Sequence, residues 1–292
     1  MNTLKSIYTI IIFFTTIVTF AQNNDVVIKT TKITDHIYML EGQGGNIGIS
    51  VGDDGVFMID SQYAPLTPKI LEAIKAISDK QIKFLVNTHH HGDHTGGNAN
   101  IGILGTTIIA HDNVYKRLND ASADKLLTAK ESLPIITFND KLSIYLNGEQ
   151  VFIFHVDNAH TDGDTLLYFT ESNILHTGDT FFSGLYPYID LNSGGTVNGY
   201  IDAGKQALIL IDEHTKIIPG HGKMSNKKEY QFFLSMLENL KEIVSAEIAA
   251  GKTEDEVVSN KNITKIYDDL GYSWSFINSE KIRRTFYLSL KK

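Results

Sequence analysis

The sequence predicts an α/β protein built from two sheets packed face to face, each with helices on its outer side. Two observations carry that expectation. Strand-type and helix-type segments recur in the same order in both halves of the chain, and no low-complexity linker divides them. The composition, 42% hydrophobic and 21% charged over 292 residues, is enough for a sizeable core. Residues 22–292 therefore read as one domain ending in helices.

The first residues stand apart. "MNTLKSIYTIIIFFTTIVTFAQ" has one basic residue, Lys5, then an apolar run from Ile7 to Phe20 and a small residue, Ala21. This is the pattern of a secretory signal peptide over residues 1–21. The run is shorter than the ~20 apolar residues of a spanning helix. Cleavage after Ala21 removes Lys5 and no acid, moving the net charge from −8 to −9. A periplasmic or secreted protein is expected, free of the membrane after cleavage. Its acidity excludes a nucleic-acid partner, since phosphate binding requires a basic surface. There is no cysteine, so neither disulfides nor thiolate chemistry is available.

Along the chain, "IKTTKITDHIYMLEG" alternates apolar and polar residues as a half-buried strand does. "GNIGISVGDDGVFMID" reads as two strands around Asp53-Asp54-Gly55. "PLTPKILEAIKAISDK" predicts a helix capped by Thr67, with Pro68 first and Ile70, Leu71, Ile74 and Ile77 on one face. "IKFLVNT" and "TTIIAH" are strands, and a helix begins near Asp112. "LSIYLNGEQVFIFHVDNA" predicts a hairpin turning at Asn147-Gly148, and "DTLLYFTESNILHTGD" two further strands. "IDAGKQALILIDEH" is helical and "TKIIPGH" a strand. Asn226 with Glu229 and Thr253 with Glu256 are capping-box pairs for two later helices, the first stopping at Gly251.

The chemistry concentrates where strands end. "IKFLVNT" runs into His89-His90-His91. Alternate side chains of an extended chain share a side, so His89 and His91 are placed to grip one ion while His90 points away. Gly92 lets the chain turn, which brings Asp93 and His94 to a second ion. His160, Asp179 and His221 each follow a later strand. The other histidines, His36, His111, His155, His176 and His214, read as structural.

"THHHGDH", followed by "AHTDGDT", "HTGDTFF" and "PGHG", resembles the metallo-β-lactamase superfamily over residues ~30 to ~225 in motif order and spacing. The resemblance implies a four-layer αβ/βα sandwich with its site along the sheet edge. It implies two zinc ions, one held by His89, His91 and His160, the other by Asp93, His94 and His221, with Asp179 bridging. It also implies that Asp60 supports the ligands from behind. Diiron members carry glutamate where this chain has His91, which favours zinc.

Two zinc ions ~3.5–4 Å apart share a hydroxide, because zinc lowers the pKa of bound water from 15.7 toward ~7. The expected reaction is attack of that hydroxide on a carbonyl carbon, with Asp93 holding and orienting it. A β-lactam amide is the first substrate expected. The resemblance is divided here: one lactamase subclass has cysteine at the position of Asp179, another lacks the bridging aspartate, and lactonases and glyoxalase II thioesterases have it. A lactone, ester or thioester is the alternative, and a zinc-binding or sensor protein without turnover is the alternative of another class. "FFSGLYPYIDLNSGGTVNGY" is expected to form one wall of the pocket, with Tyr186 and Tyr188 lining a small-molecule substrate.

Overall fold

The computed structural model describes residues 26–123 and 130–291. The leader read at residues 1–21 lies outside the described residues. No helix among the described residues is long and apolar enough to cross a membrane.

The first sheet contains β1 (Lys29–Lys32), β2 (Ile37–Glu41), β3 (Ile47–Gly52), β4 (Gly55–Ile59), β5 (Ile82–Val86), β6 (Thr107–His111) and β7 (Ile136–Phe138), side by side in chain order. The second contains β8 (Lys141–Leu146), β9 (Glu149–His155), β10 (Thr165–Phe169), β11 (Ile174–His176), β12 (Lys216–Ile218) and β13 (Ser225–Asn226). Pairing is antiparallel from β1 to β4 and parallel from β4 to β7. In the second sheet only the β11–β12 pair is parallel.

Central strands such as β4, β10 and β11 are buried on both faces, and their two-residue period sorts side chains between cores. Met39, Phe57, Ile59, Ile153, Leu167 and Phe169 meet between the sheets. Their neighbours Leu40, Val56 and Met58 face outward onto α1 (Thr67–Lys75), meeting Ile70 and Ile74. Leu166, Leu175 and Ile217 of the second sheet face α5 (Val197–Leu210) and α6 (Lys227–Ala249). The result is helix, sheet, sheet, helix in four layers.

The short helices α2 (Gly92–Thr95) and α3 (Asn98–Gly102) follow β5, and α4 (Asp112–Ala123) follows β6. After α6 come α7 (Glu254–Ser259), α8 (Lys265–Asp269) and α9 (Ser279–Leu290).

Several local expectations need correction. The stretch read as one strand at residues 28–42 is a hairpin: the backbone N–H groups of Ile33 and Thr34 both donate to the Ile37 carbonyl, and β1 folds back on β2. Thr67 does not cap α1, because a 3-10 turn at Ala64–Leu66 already leads into the helix. Its buried hydroxyl instead accepts from Asn100 Nδ2. Helix α5 begins at Val197, capped by the Thr196 side chain, and stops at Leu210. Asn226 caps α6, but the Glu229 carboxylate accepts from Ser225 Oγ, so that capping box is half made. The Thr253–Glu256 box is complete.

Candidate metal centre

The centre lies at the edge where β4, β5, β9, β11 and β12 end. Thr165 N donates to the Thr88 carbonyl and ties the two sheets together there. Helix α2, entered from an extended His91, carries Asp93 and His94 back over that edge.

Three donor groups form; one, His90, His91 and Asp190, lies to the side and shares His91, and the other two meet at Asp179. His89, His91, His160 and Asp179 bring one ligand atom each within 4.8 Å of one another, and so do Asp93, His94 and His221. Asp179 faces both. Its Oδ2 lies 3.5 Å from His160 Nε2 and 3.8 Å from His89 Nε2. Its Oδ1 lies 3.1 Å from His94 Nε2 and 3.5 Å from His221 Nε2. His91 joins the first group through Nδ1, 3.2 Å from His89 Nε2 and 2.9 Å from His160 Nε2. Asp93 Oδ2 lies 3.2 Å from His221 Nε2.

Most imidazoles are aimed by a contact on the other ring nitrogen, the arrangement that orients metal-binding histidines. His94 Nδ1 donates to Asp60 Oδ2 at 2.7 Å. His160 Nδ1 donates to the Tyr188 carbonyl at 2.7 Å. His91 Nε2 is 3.1 Å from Asp190 Oδ2, and His89 Nδ1 is 3.1 Å from Thr88 Oγ1. Asp60 is wholly buried at φ 61°, and its carboxylate also accepts from Thr88 N and Thr88 Oγ1. Asx residues tolerate that left-handed backbone better than other side chains.

The charges follow from this packing. Burial disfavours a charged His94, but the carboxylates of Asp179, Asp60 and Asp93 outweigh it and hold its pKa well above the ordinary value. Burial also opposes charge on His221, and Asp179 and Asp93 overcome it, raising it to about 9. Burial dominates at His160 and lowers it to about 4. For Asp179 burial is outweighed by His221, His94 and His89, so its carboxyl lies well below the usual range.

His94 Nε2 and Asp179 Oδ1 are fully buried, yet neither has a hydrogen-bond partner. Two strong donor atoms left over beside one another, within imidazole and carboxylate clusters, fit a metal-binding centre.

The remaining histidines lie elsewhere. His90 turns from both clusters toward Ser193 Oγ, at 3.5 Å. His36 bonds Glu149, His111 stacks on His155 at 3.8 Å, and His214 is exposed. His176 is buried beside the Asn46 carbonyl. Asn46 itself is buried and donates to the Pro219 and Gly222 carbonyls, fastening the loop that carries His221.

A cavity of about 430 Å³ opens onto the centre. His91, Asp93, Asp179 and His221 form its floor; Gln43 and five aromatic residues, Tyr63, Phe182, Tyr188, Trp274 and Phe276, form its walls. Tyr188 stacks on His91 and Phe182 on His221. Tyr186 does not line the cavity. It is fully buried, and its hydroxyl donates to Asp268 Oδ1, so the C-terminal helices draw it inward. Asp190, Trp274 and Phe276 escaped the sequence reading. The one available signal was that Trp274 is the sole tryptophan.

The chain matches the family described as the metallo-beta-lactamase superfamily over residues 40–225. It is 28% identical to a hydroxyacylglutathione hydrolase of Polaromonas sp. over 57% of this chain and 58% of that protein. It is 24% identical to the 2,4-dinitroanisole O-demethylase subunit alpha of Nocardioides sp., over 62% of this chain and 53% of that one. The chain thus spans little more than half the length of these curated relatives. Among solved structures it resembles the metallo-beta-lactamase from Pontibacter korlensis, with a TM-score of 0.63 at 18% identity over 73% of this chain and 99% of that one. A sec-alkylsulfatase from Pseudomonas sp. gives a TM-score of 0.69 at 15% identity, over 89% and 50% of the two chains. With the matched segment, the sandwich and the donor clusters in agreement, the chain belongs to the metallo-β-lactamase superfamily of metal-dependent hydrolases.

Proposed function

We propose that the protein is an exported hydrolase holding two zinc ions and cleaving a carbonyl bond, with a β-lactam amide as its first candidate substrate. His89, His91 and His160 would hold one ion, and Asp93, His94 and His221 the other. The observation that carries this reading is the split of the Asp179 carboxylate, one oxygen toward each cluster. Imidazole with a few carboxylates suits zinc.

When bound, such a pair activates water at neutral pH and polarises a carbonyl oxygen. The protein's own groups orient the rest. Asp93, on the cavity floor, would hold and orient the attacking nucleophile toward the carbonyl carbon. The aromatic walls keep bulk water from the substrate's body. Asp60 and Asp190 fix the ring orientation of His94 and His91.

Turnover of a chromogenic cephalosporin by the zinc-loaded protein tests the reading. The expected result is kcat/KM above ~10⁴ M⁻¹s⁻¹, the range of a genuine enzyme–substrate pair, abolished by chelator and restored by zinc. Background rates on cephalosporins with metal-dependent turnover of a thioester or lactone would move the assignment to the second reading. That reading is favoured by the relatives named hydroxyacylglutathione hydrolase. Two equivalents of zinc without turnover of any of these would leave a zinc-binding or sensor protein. Export rests on the leader sequence alone, and cell fractionation tests it.

A further inference from the structure

The superfamily match ends at residue 225, but the cavity does not. Trp274 and Phe276, in the loop before α9, supply two of its aromatic walls. The loop is fastened to the segment after Asp179: Tyr186 N donates to the Tyr272 carbonyl, and Trp274 Nε1 donates to the Tyr186 carbonyl at 2.9 Å. Rings approach in sequence around the opening. Phe276 lies 5.2 Å from Tyr188 and 5.6 Å from Trp274, and Trp274 lies 6.2 Å from Phe182.

Lys281, in the first turn of α9, stands over this wall. Its Nζ is 4.0 Å from the centroid of Phe276 and 5.4 Å from that of Tyr188, and it donates to the Phe276 carbonyl. It has no carboxylate partner among the described residues, in a chain whose acids outnumber its bases by 34 to 26. Neither lysine nor arginine lines the cavity itself. Aromatic faces hold an ammonium in place and leave its remaining N–H donors unclaimed.

We infer that Trp274, Phe276, Tyr188 and Lys281 form a substrate subsite for an organic anion: a flat apolar body against the rings, with a carboxylate or similar group on Lys281 Nζ. The inference depends on the hydrolase reading only in taking this cavity as the substrate site. The C-terminal helices would thus set which substrates reach the metal centre, while the centre sets the reaction.

Trp274, being the only tryptophan, reports occupancy by its own fluorescence. The experiment titrates the full-length protein, metal-depleted and zinc-loaded, with 4-nitrobenzoate and with its neutral isostere 4-nitrobenzamide. Quenching by both is expected, with the carboxylate binding about fivefold more tightly, the scale of one partly exposed charge pair. Lys281→Gln should bring the two within about twofold of each other by loss at the carboxylate only, and Lys281→Arg should retain the preference. No quenching by either compound, or a preference that survives Lys281→Gln, overturns the subsite. Equal affinity in the wild type does the same. Absence of zinc-dependent turnover would defeat the hydrolase reading and leave this binding result standing. Where turnover is found, Lys281→Gln should raise KM for a carboxylated ester more than for its neutral counterpart, and an equal rise for both would overturn the subsite.

Discussion

Asp190 Oδ2 lies 3.1 Å from His91 Nε2, and that contact leaves His91 Nδ1 facing His89 and His160. The carboxylate is itself pinned, its other oxygen accepting from Asn192 N and Ser193 N. Burial works against its charge, but His91 and Ser193 outweigh burial and hold its pKa well below the usual range. Such a partner fixes the tautomer and raises the basicity of the ligand it touches. Asp190→Ala should therefore weaken the first metal site about 10- to 100-fold, measured by competition with a chromogenic chelator. Asp190→Asn keeps an acceptor for His91 and should recover most of the loss. Unchanged affinity in the alanine variant would remove the role.

Asp179 and His90 make a matched pair of tests, since both stand close to the same imidazoles. Asp179 gives one oxygen to each cluster, whereas His90 turns away. Asp179→Ala should lose at least one equivalent of zinc and most activity. His90→Ala should keep both equivalents. Elemental analysis of the dialysed variants reads both, and a metal lost from the His90 variant would show that the proposed ligand set is wrong.

Arg117 supports the centre from outside. Its guanidinium makes two bonds to the Asp162 carboxylate, at 2.7 and 2.8 Å, and Asn113 Nδ2 holds the Asp162 carbonyl. These contacts tie α4 to the loop carrying His160. Burial opposes charge on Asp162, but Arg117 outweighs it and lowers the carboxyl pKa below 3.8. The folded state therefore binds fewer protons than the unfolded state across that interval. The pair's stabilisation is complete above about pH 5 and is lost as the pH falls through the folded-state pKa. Arg117→Met should cost about 1 kcal/mol at neutral pH, at the upper end for partly exposed pairs because the geometry is bidentate. Denaturant titrations at pH 7 and near pH 3 should show that difference shrinking toward zero. A difference independent of pH would assign it to packing of the arginine stem.

The clustering of the candidate donors was legible because each sits in a short motif at the end of an apolar run, where a strand must deliver it to the sheet edge. Alternation also separated His89 and His91 from His90. Legibility failed where position depends on distant chain. Asp190 is 99 positions from His91, and nothing around "YIDLNS" distinguishes a ligand's partner from a turn-capping aspartate. Tyr186 and Tyr188 look alike in sequence, being two apart in one aromatic stretch. Their different fates are decided by α8, which takes the Tyr186 hydroxyl, while Tyr188 stacks on His91. Trp274, Phe276 and Lys281 belong to no motif, and only the fold brings the two rings to the cavity and the lysine over them.

Glycines near the centre divide by what surrounds them, which no sequence pattern reveals. Gly92, expected to be needed for the turn into α2, has an ordinary backbone, and a Cβ added there would meet only open space. Gly220 is different. A Cβ there would overlap Asp179 Oδ1 and the Gly178 carbonyl, and its backbone is fixed at both ends, donating to the Phe181 carbonyl and accepting from Asn46 N. Moving the Asp179 side chain alone cannot relieve the overlap with the Gly178 carbonyl, so backbone and carboxylate must both shift. Gly220→Ala should cost about 1–3 kcal/mol of stability, the scale of overpacking, and should displace the carboxylate that serves both clusters. Zinc content below two equivalents is the expected readout, against a Gly92→Ala control that keeps both. A Gly220→Ala protein with full zinc content and wild-type stability would mean that Asp179 adapts, and that its reach to both clusters does not depend on the close approach of residue 220.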